Sequence, residues 1–190
     1  MAQTHGIGLP GHRAPAVGLE APFEMLVACH ERVQRSLDLM ARLQQYLVDK
    51  GVDDGARNAA RDVMRYFDLA APLHHQDEEL HVFPPLLAGA DEGMKTLVRK
   101  LMADHRQMEQ AWEQARIVLH GIVDASASTD LVLAPIQTDH LNHFASLYWQ
   151  HIHDEEQIVY PAAQAVAMPA VLHAMSQDMM RRRGVSVERG

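Results

Sequence analysis

Residues 151–161 read HIHDEEQIVYP, and residues 74–84 read HHQDEELHVFP. Laid over one another, His74 meets His151, Asp77 meets Asp154, Glu78 meets Glu155 and Glu79 meets Glu156. Phe83 then meets Tyr160, and Pro84 meets Pro161. The two copies are offset by 151 − 74 = 77 residues. A second pair has nearly the same offset: His30 in ACHERVQRSL and His105 in ADHRQMEQAW, 105 − 30 = 75 residues apart. The chain therefore reads as two helix pairs, each carrying a histidine and then His-x-x-x-Glu, the mark of a duplicated unit.

The segments around these motifs are helical in pattern. From Pro22 to Lys50, Phe23, Leu26, Val27, His30, Val33, Leu37, Met40, Leu43 and Leu47 recur at steps of three and four. Gly51 stands where a helix C-terminus favours glycine. A second segment is expected from about Ala56 to Phe83, kinked or split at Pro72 and ended by Pro84–Pro85. A third runs from about Glu92 to Asp124. A fourth runs from about Asp130 to Ala167, with Ser128 or Thr129 as its cap. A short helix from about Pro169 to Arg183 closes the chain, with cations near its C-terminus. No stretch alternates with period two. The expectation is an all-α fold: an up-down-up-down four-helix bundle over 22–167, a flexible lead-in over 1–21, and a short fifth helix and tail over 168–190.

Bulk properties narrow the function. The 190 residues suit one domain, and 47% hydrophobic content supports a core. Seventeen basic against twenty-five acidic residues give a net charge of −8, which argues against nucleic acid and anionic membranes as main partners. A single cysteine, Cys29, excludes an intrachain disulfide and any CxxC motif. No apolar run reaches the roughly 18 residues of a membrane span, and the N-terminus lacks the pattern of a signal peptide. A cytoplasmic protein is the expectation. The anomaly is thirteen histidines, strong metal ligands all.

Helix geometry explains the spacing. Residues i and i+4 lie about 40° apart around the axis and about 6 Å apart along it. His74 and Glu78 therefore point the same way, as do His151 and Glu155. His30 and His105 sit among apolar positions and face the same interior. Six metal ligands converge: His30, His74, Glu78, His105, His151 and Glu155. Calcium and magnesium prefer oxygen donors alone, and a closed zinc site takes four ligands. Four imidazoles with two bridging carboxylates suit two borderline divalent ions, iron first and manganese second. A metal-free polar network is disfavoured, because unpaired buried carboxylates are costly.

By these motifs the chain resembles the hemerythrin-like HHE cation-binding family over roughly residues 22–165. The resemblance implies a four-helix bundle around two non-haem iron ions, a di-iron centre held by the same six residues, with Mn or Zn as substitutes. It is closest to the four-histidine, two-glutamate type. The oxygen-carrying members have a fifth histidine one turn before the position of His105, where this chain has Leu101. They also use an aspartate where this chain has Glu156. The implied ligand is a small gas or oxidant: O2, NO or peroxide. Oxygen binding or sensing, or an oxidative-stress response, is the first expectation. Nitric-oxide-responsive iron-centre repair or di-iron redox catalysis is the second, and iron storage or buffering the third. The last helix, with MSQDMMRRRG, is expected either to cover a bundle edge or to form a homodimer contact.

Neighbouring residues carry lesser expectations. His75 and His153, about 100° from the ligand stripe, face the surface or a helix interface. Glu79 and Glu156 are exposed or orient a ligand imidazole. Glu78-x-x-His81 matches a ferritin-like spacing that occurs only once. His140 lies too far along its helix, about 16 Å, to share the centre with His151. Tyr148 and Trp149 are read as packing residues, and Cys29 as an inert, partly buried thiol.

Overall fold

The computed structural model describes residues 21–126 and 132–185. All regular structure there is helical: α1 (Pro22–Lys50), α2 (Asp54–Asp77), α3 (Phe83–Gly89), α4 (Glu92–Asp124), α5 (Pro135–Ser146), α6 (Tyr148–Asp154), α7 (Tyr160–Val166) and α8 (Pro169–Arg182). A π-helical turn over Glu78–Val82 joins α2 to α3, and a second over Glu155–Val159 joins α6 to α7. Four rods result: α1, α2 with α3, α4, and α5 with α6 and α7. Each packs against the next, and α5 returns to α1, which closes the bundle. Asp53 caps α2 by accepting from the Ala56 N–H at 2.9 Å, and Asp91 caps α4 by accepting from the Met94 N–H at 2.9 Å. Gly51, at φ 73°, ends α1 in a backbone region that side-chain-bearing residues avoid.

Three boundaries differ from the expectation. Pro72 does not split α2; it lies on the exposed face, where water can reach the carbonyl it leaves unpaired. Pro84–Pro85 do not end the second rod, which continues to Gly89. An α-helix would press their rings against the carbonyls of Leu80 and His81. Those two residues belong to the wider π turn, so the helix resumes with its prolines in the first turn. Pro161 repeats the device after the second π turn. The fourth rod starts at Pro135, not near Asp130. The Gln137 side chain accepts from the Ala134 N–H at 2.8 Å. The expected caps Ser128 and Thr129 lie outside the described residues, as does nearly all of the lead-in.

The core is in two apolar clusters. One gathers Val33, Leu43, Phe67, Met108, Leu119 and Phe144; the other gathers Leu26, Phe83, Leu101, Val159, Tyr160 and Met179. Every rod passes from one cluster to the other through its histidines and glutamates. On α1, His30 separates Leu26 from Val33; on α4, His105 separates Leu101 from Met108. The polar residues thus form a layer across the bundle, sealed above and below.

Helix α8 closes the end beyond that layer. Met175 and Met179 join the second cluster. Arg182 and Arg183 turn inward rather than serving only the helix dipole, and both ion-pair with Asp77, which is fully buried. Asp178 on the same helix accepts from His81. Removing both arginines leaves a buried carboxylate without a cation, a loss on the order of 3 kcal/mol. The double variant Arg182→Ala/Arg183→Ala should melt well below the parent in a thermal scan. Adding Asp77→Asn should recover part of the difference, since the stranded charge is then gone.

Candidate metal centre

The six expected residues do meet. His30, His74, Glu78 and Glu155 bring one ligand atom each to within 4.8 Å of one another, and so do His105, His151 and Glu155. All six are buried, with Glu78, His105 and Glu155 at 0% exposure. Glu155 belongs to both groups. Its Oε2 lies 3.1 Å from His30 Nε2, and its Oε1 lies 3.0 Å from His151 Nε2. Glu78 also reaches both sides: Oε1 is 3.5 Å from His74 Nε2, and Oε2 is 3.4 Å from His105 Nε2. Each glutamate opens a π turn, which locally re-aims the rod at the position where the side chain must reach the bundle axis.

The histidines are oriented from behind. His30 Nδ1 pairs with Glu156 Oε1 at 2.8 Å, and His105 Nδ1 pairs with Glu79 Oε1 at 3.0 Å. The exchange is crossed: each repeat's second glutamate serves the isolated histidine that belongs to the other repeat. This fixes the tautomer with Nε2 free toward the interior. Asp104 Oδ2 stands 3.5 Å behind His151 Nδ1. Its role was missed in the sequence, although its position just before His105 puts it on the same stretch of α4.

The interior atoms lack partners of their own. Glu78 Oε2, His105 Nε2, His151 Nε2 and both oxygens of Glu155 are buried without a well-aligned hydrogen bond among the described residues. Buried polar atoms normally find partners. Here nitrogen and carboxylate atoms crowd one interior point, close enough to share protons but not aligned as ordinary hydrogen bonds, which is the arrangement expected of residues that hold cations. The donor set fits bound cations, which His30, His74, Glu78, His105, His151 and Glu155 would hold.

Electrostatics in the metal-free state say the same. Burial works to lower the pKa of His30, but Glu155 and Glu156 override it and lift the imidazole to about 9. Burial likewise opposes His105, which Glu155 and Glu78 lift to about 10. His74, held by burial and by the His30 charge, stays well below the usual range. Burial raises Glu78, and the charge on Glu155 raises it further. Burial would also raise Glu155, but His151, His105 and His30 hold it well below the carboxylate range. Protons stand in where cations would go.

The surrounding residues divide. His75 is buried at a helix interface, stacked on His105 with ring centroids 3.9 Å apart. His153 is exposed. His81 pairs with Asp178 at 2.9 Å and not with the centre, so the ferritin-like reading of Glu78 and His81 fails. His143 is exposed, and His140 is absent from both ligand groups. Tyr148 packs in the core as expected, but Trp149 is 78% exposed, because the helix turn that buries Tyr148 faces its neighbour outward. Cys29 is buried, which pushes its thiol pKa up. Tyr160 was seen in the sequence only as the counterpart of Phe83. Its hydroxyl donates to Glu78 Oε1 and lies 3.3 Å from His30 Nε2.

Residues 21–163 match the hemerythrin HHE cation-binding domain, and the chain belongs to that family. It is also similar to an uncharacterized protein of Haemophilus influenzae, 29% identical over 164 residues, covering 86% of this chain and 91% of that one. No helix among the described residues is long and apolar enough to cross a membrane.

Cation uptake must displace the protons on His30 and His105. Both pKa values lie above neutrality when the centre is metal-free. Loading at pH 7 should therefore release about two protons per chain, and apparent affinity should climb with pH until about pH 10, the higher of the two values. Calorimetric titrations in buffers of different ionisation enthalpy measure this directly. Release of no protons would contradict the coupling.

Proposed function

We propose that this member of the hemerythrin HHE cation-binding family holds two non-haem iron ions between His30, His74, Glu78, His105, His151 and Glu155, and uses them to bind or react with dioxygen or a related small molecule in the cytoplasm. The observation that carries the reading is the set of buried, mutually unsatisfied nitrogen and carboxylate atoms shared across Glu155. Iron held there would supply redox chemistry and a coordination position for an added ligand. The chain's own residues do the rest. Glu79 and Glu156 orient two imidazoles, and the two apolar clusters keep bulk water from the centre.

A small recess close to the centre suits a small ligand. A recess of about 40 Å³, lined by Phe67, Ala71, Pro72, His75, Met108 and Tyr148 among others, reaches the ring that stacks on His105. That volume suits a diatomic molecule or one water. Leu101 lies one turn before His105 and is fully buried in apolar surroundings. A chain with leucine there offers the His105 side one fewer nitrogen donor, which favours redox reaction with oxygen, peroxide or nitric oxide alongside reversible binding.

Iron analysis of purified variants tests the ligand set. Glu78→Ala and Glu155→Ala should each lose most of their iron and melt at a lower temperature than the iron-loaded parent. Full iron content in both would sink the bridging arrangement. For the ligand, air admitted to anaerobic iron(II)-loaded protein should produce a visible charge-transfer band. A band that fades under argon means reversible oxygen binding, whereas permanent oxidation means redox chemistry. Release of the iron into solution would favour buffering. Leu101→His should slow permanent oxidation in air; an unchanged rate and spectrum would mean that position 101 does not address the centre.

A further inference from the structure

The repeat makes the centre nearly two-fold, and one pair of side chains breaks it. Phe83 and Tyr160 occupy the same place in the two copies, each five residues after its glutamate. Both rings lie against the isolated histidine of a helix pair. Phe83 stacks on His105 with centroids 5.7 Å apart, and Tyr160 stacks on His30 with centroids 5.6 Å apart. The difference is one oxygen atom. The Tyr160 hydroxyl donates to Glu78 Oε1 and stands 3.3 Å from His30 Nε2, the nitrogen that Glu156 leaves free. Phe83 has no atom with which to do the same for Glu155.

Resting on the two-cation reading above, we infer that Tyr160 is a positioning residue that makes the two cation positions chemically unequal. The two glutamates already differ in the way this requires. Glu155 keeps both oxygens free of hydrogen bonds and spans the two histidine pairs almost evenly, at 3.1 and 3.0 Å. Glu78 has one oxygen tethered by the phenol, on the His30 and His74 side, and the other free toward His105. A carboxylate that donates electron density to a hydroxyl has less to give a cation at that oxygen. The phenol also fills space beside His30 Nε2, so the His30–His74 position is the more crowded of the two. Phe83 gives the His105–His151 position no counterpart of that hydroxyl, and a small recess is lined by His75, whose ring packs against His105 and His151.

The test reads the two positions separately. The full chain is loaded anaerobically with ⁵⁷Fe(II) to two ions per chain, and Mössbauer spectra are recorded for the parent and for Tyr160→Phe. The substitution removes one oxygen atom and keeps the ring, so the packing against Phe23 and His30 is retained. The parent should show two quadrupole doublets of equal area. Tyr160→Phe should move one doublet and leave the other where it was. Identical spectra for the two proteins, or equal movement of both doublets, would overturn the inference while leaving the two-iron centre intact. Failure of the parent to take up two irons would instead overturn the metal-centre reading, and this one with it. The reciprocal variant Phe83→Tyr should perturb the doublet that Tyr160→Phe leaves untouched.

Discussion

Burial of two carboxylates and four imidazoles in one layer is the constraint around which this bundle is organised. Placing Glu78, Glu155 and their histidines out of reach of water is unfavourable unless something of opposite charge joins them. The protein gives them very little of its own. Arg182 and Arg183 come close, but they are spent on Asp77, one residue away from Glu78. Lys100 reaches Asp154, the equivalent residue beside Glu155, at 3.3 Å. The cationic side chains thus neutralise the aspartates at the margins and leave the glutamates at the centre to share protons with histidine. A layer built in this way is strained toward cation uptake, and the apolar clusters on either side stop water from relieving it.

The helix geometry follows from the same need. In an unbroken α-helix, His-x-x-x-Glu places both side chains on one stripe, which suffices to face the interior. It does not also bring a glutamate to the bundle axis and then return the rod to its register. The π turns after His74 and His151 supply that adjustment, and the prolines behind them fit only because the turn is widened. Glutamate, π turn and proline form one unit, used twice. The crossed pairs His30–Glu156 and His105–Glu79 then tie each repeat to the other, so neither half can complete its own centre.

The parts legible in the sequence were those set by period. Three- and four-residue spacing gave α1 and α4 with the ends the structure shows, and the doubled motif pointed to six residues that converge. What could not be read was set by more than period. Pro84 and Pro85 look like helix terminators until a π turn precedes them. His75 stands 100° off the ligand stripe, and in an isolated helix that is a neutral position. Only the approach of α4 makes it a buried ring on His105. Arg182 and Arg183 read as a cationic helix end because their partner, Asp77, is more than a hundred residues earlier. Tyr160 was visible as a departure from the repeat, but its meaning needed the distance to Glu78.

On the inference drawn above, that last departure is how a duplicated scaffold would come to unsymmetrical chemistry. Two equal halves would hold two equal ions and offer an incoming molecule no reason to choose between them. Binding a small molecule end-on, or passing electrons to it from one side, is helped by ions that differ in donor strength and in free space. Here the backbone, the π turns, the prolines and the orienting glutamates all keep the two-fold relation. The asymmetry lies in side chains: a hydroxyl on Tyr160 and not on Phe83, and a buried His75 stacked on His105 where the second copy has Ile152. Because both lie outside the ligand set, selection could adjust them without dismantling the centre. The reactivity of such a bundle is then decided less by which residues hold the ions than by which neighbours make the two halves unlike.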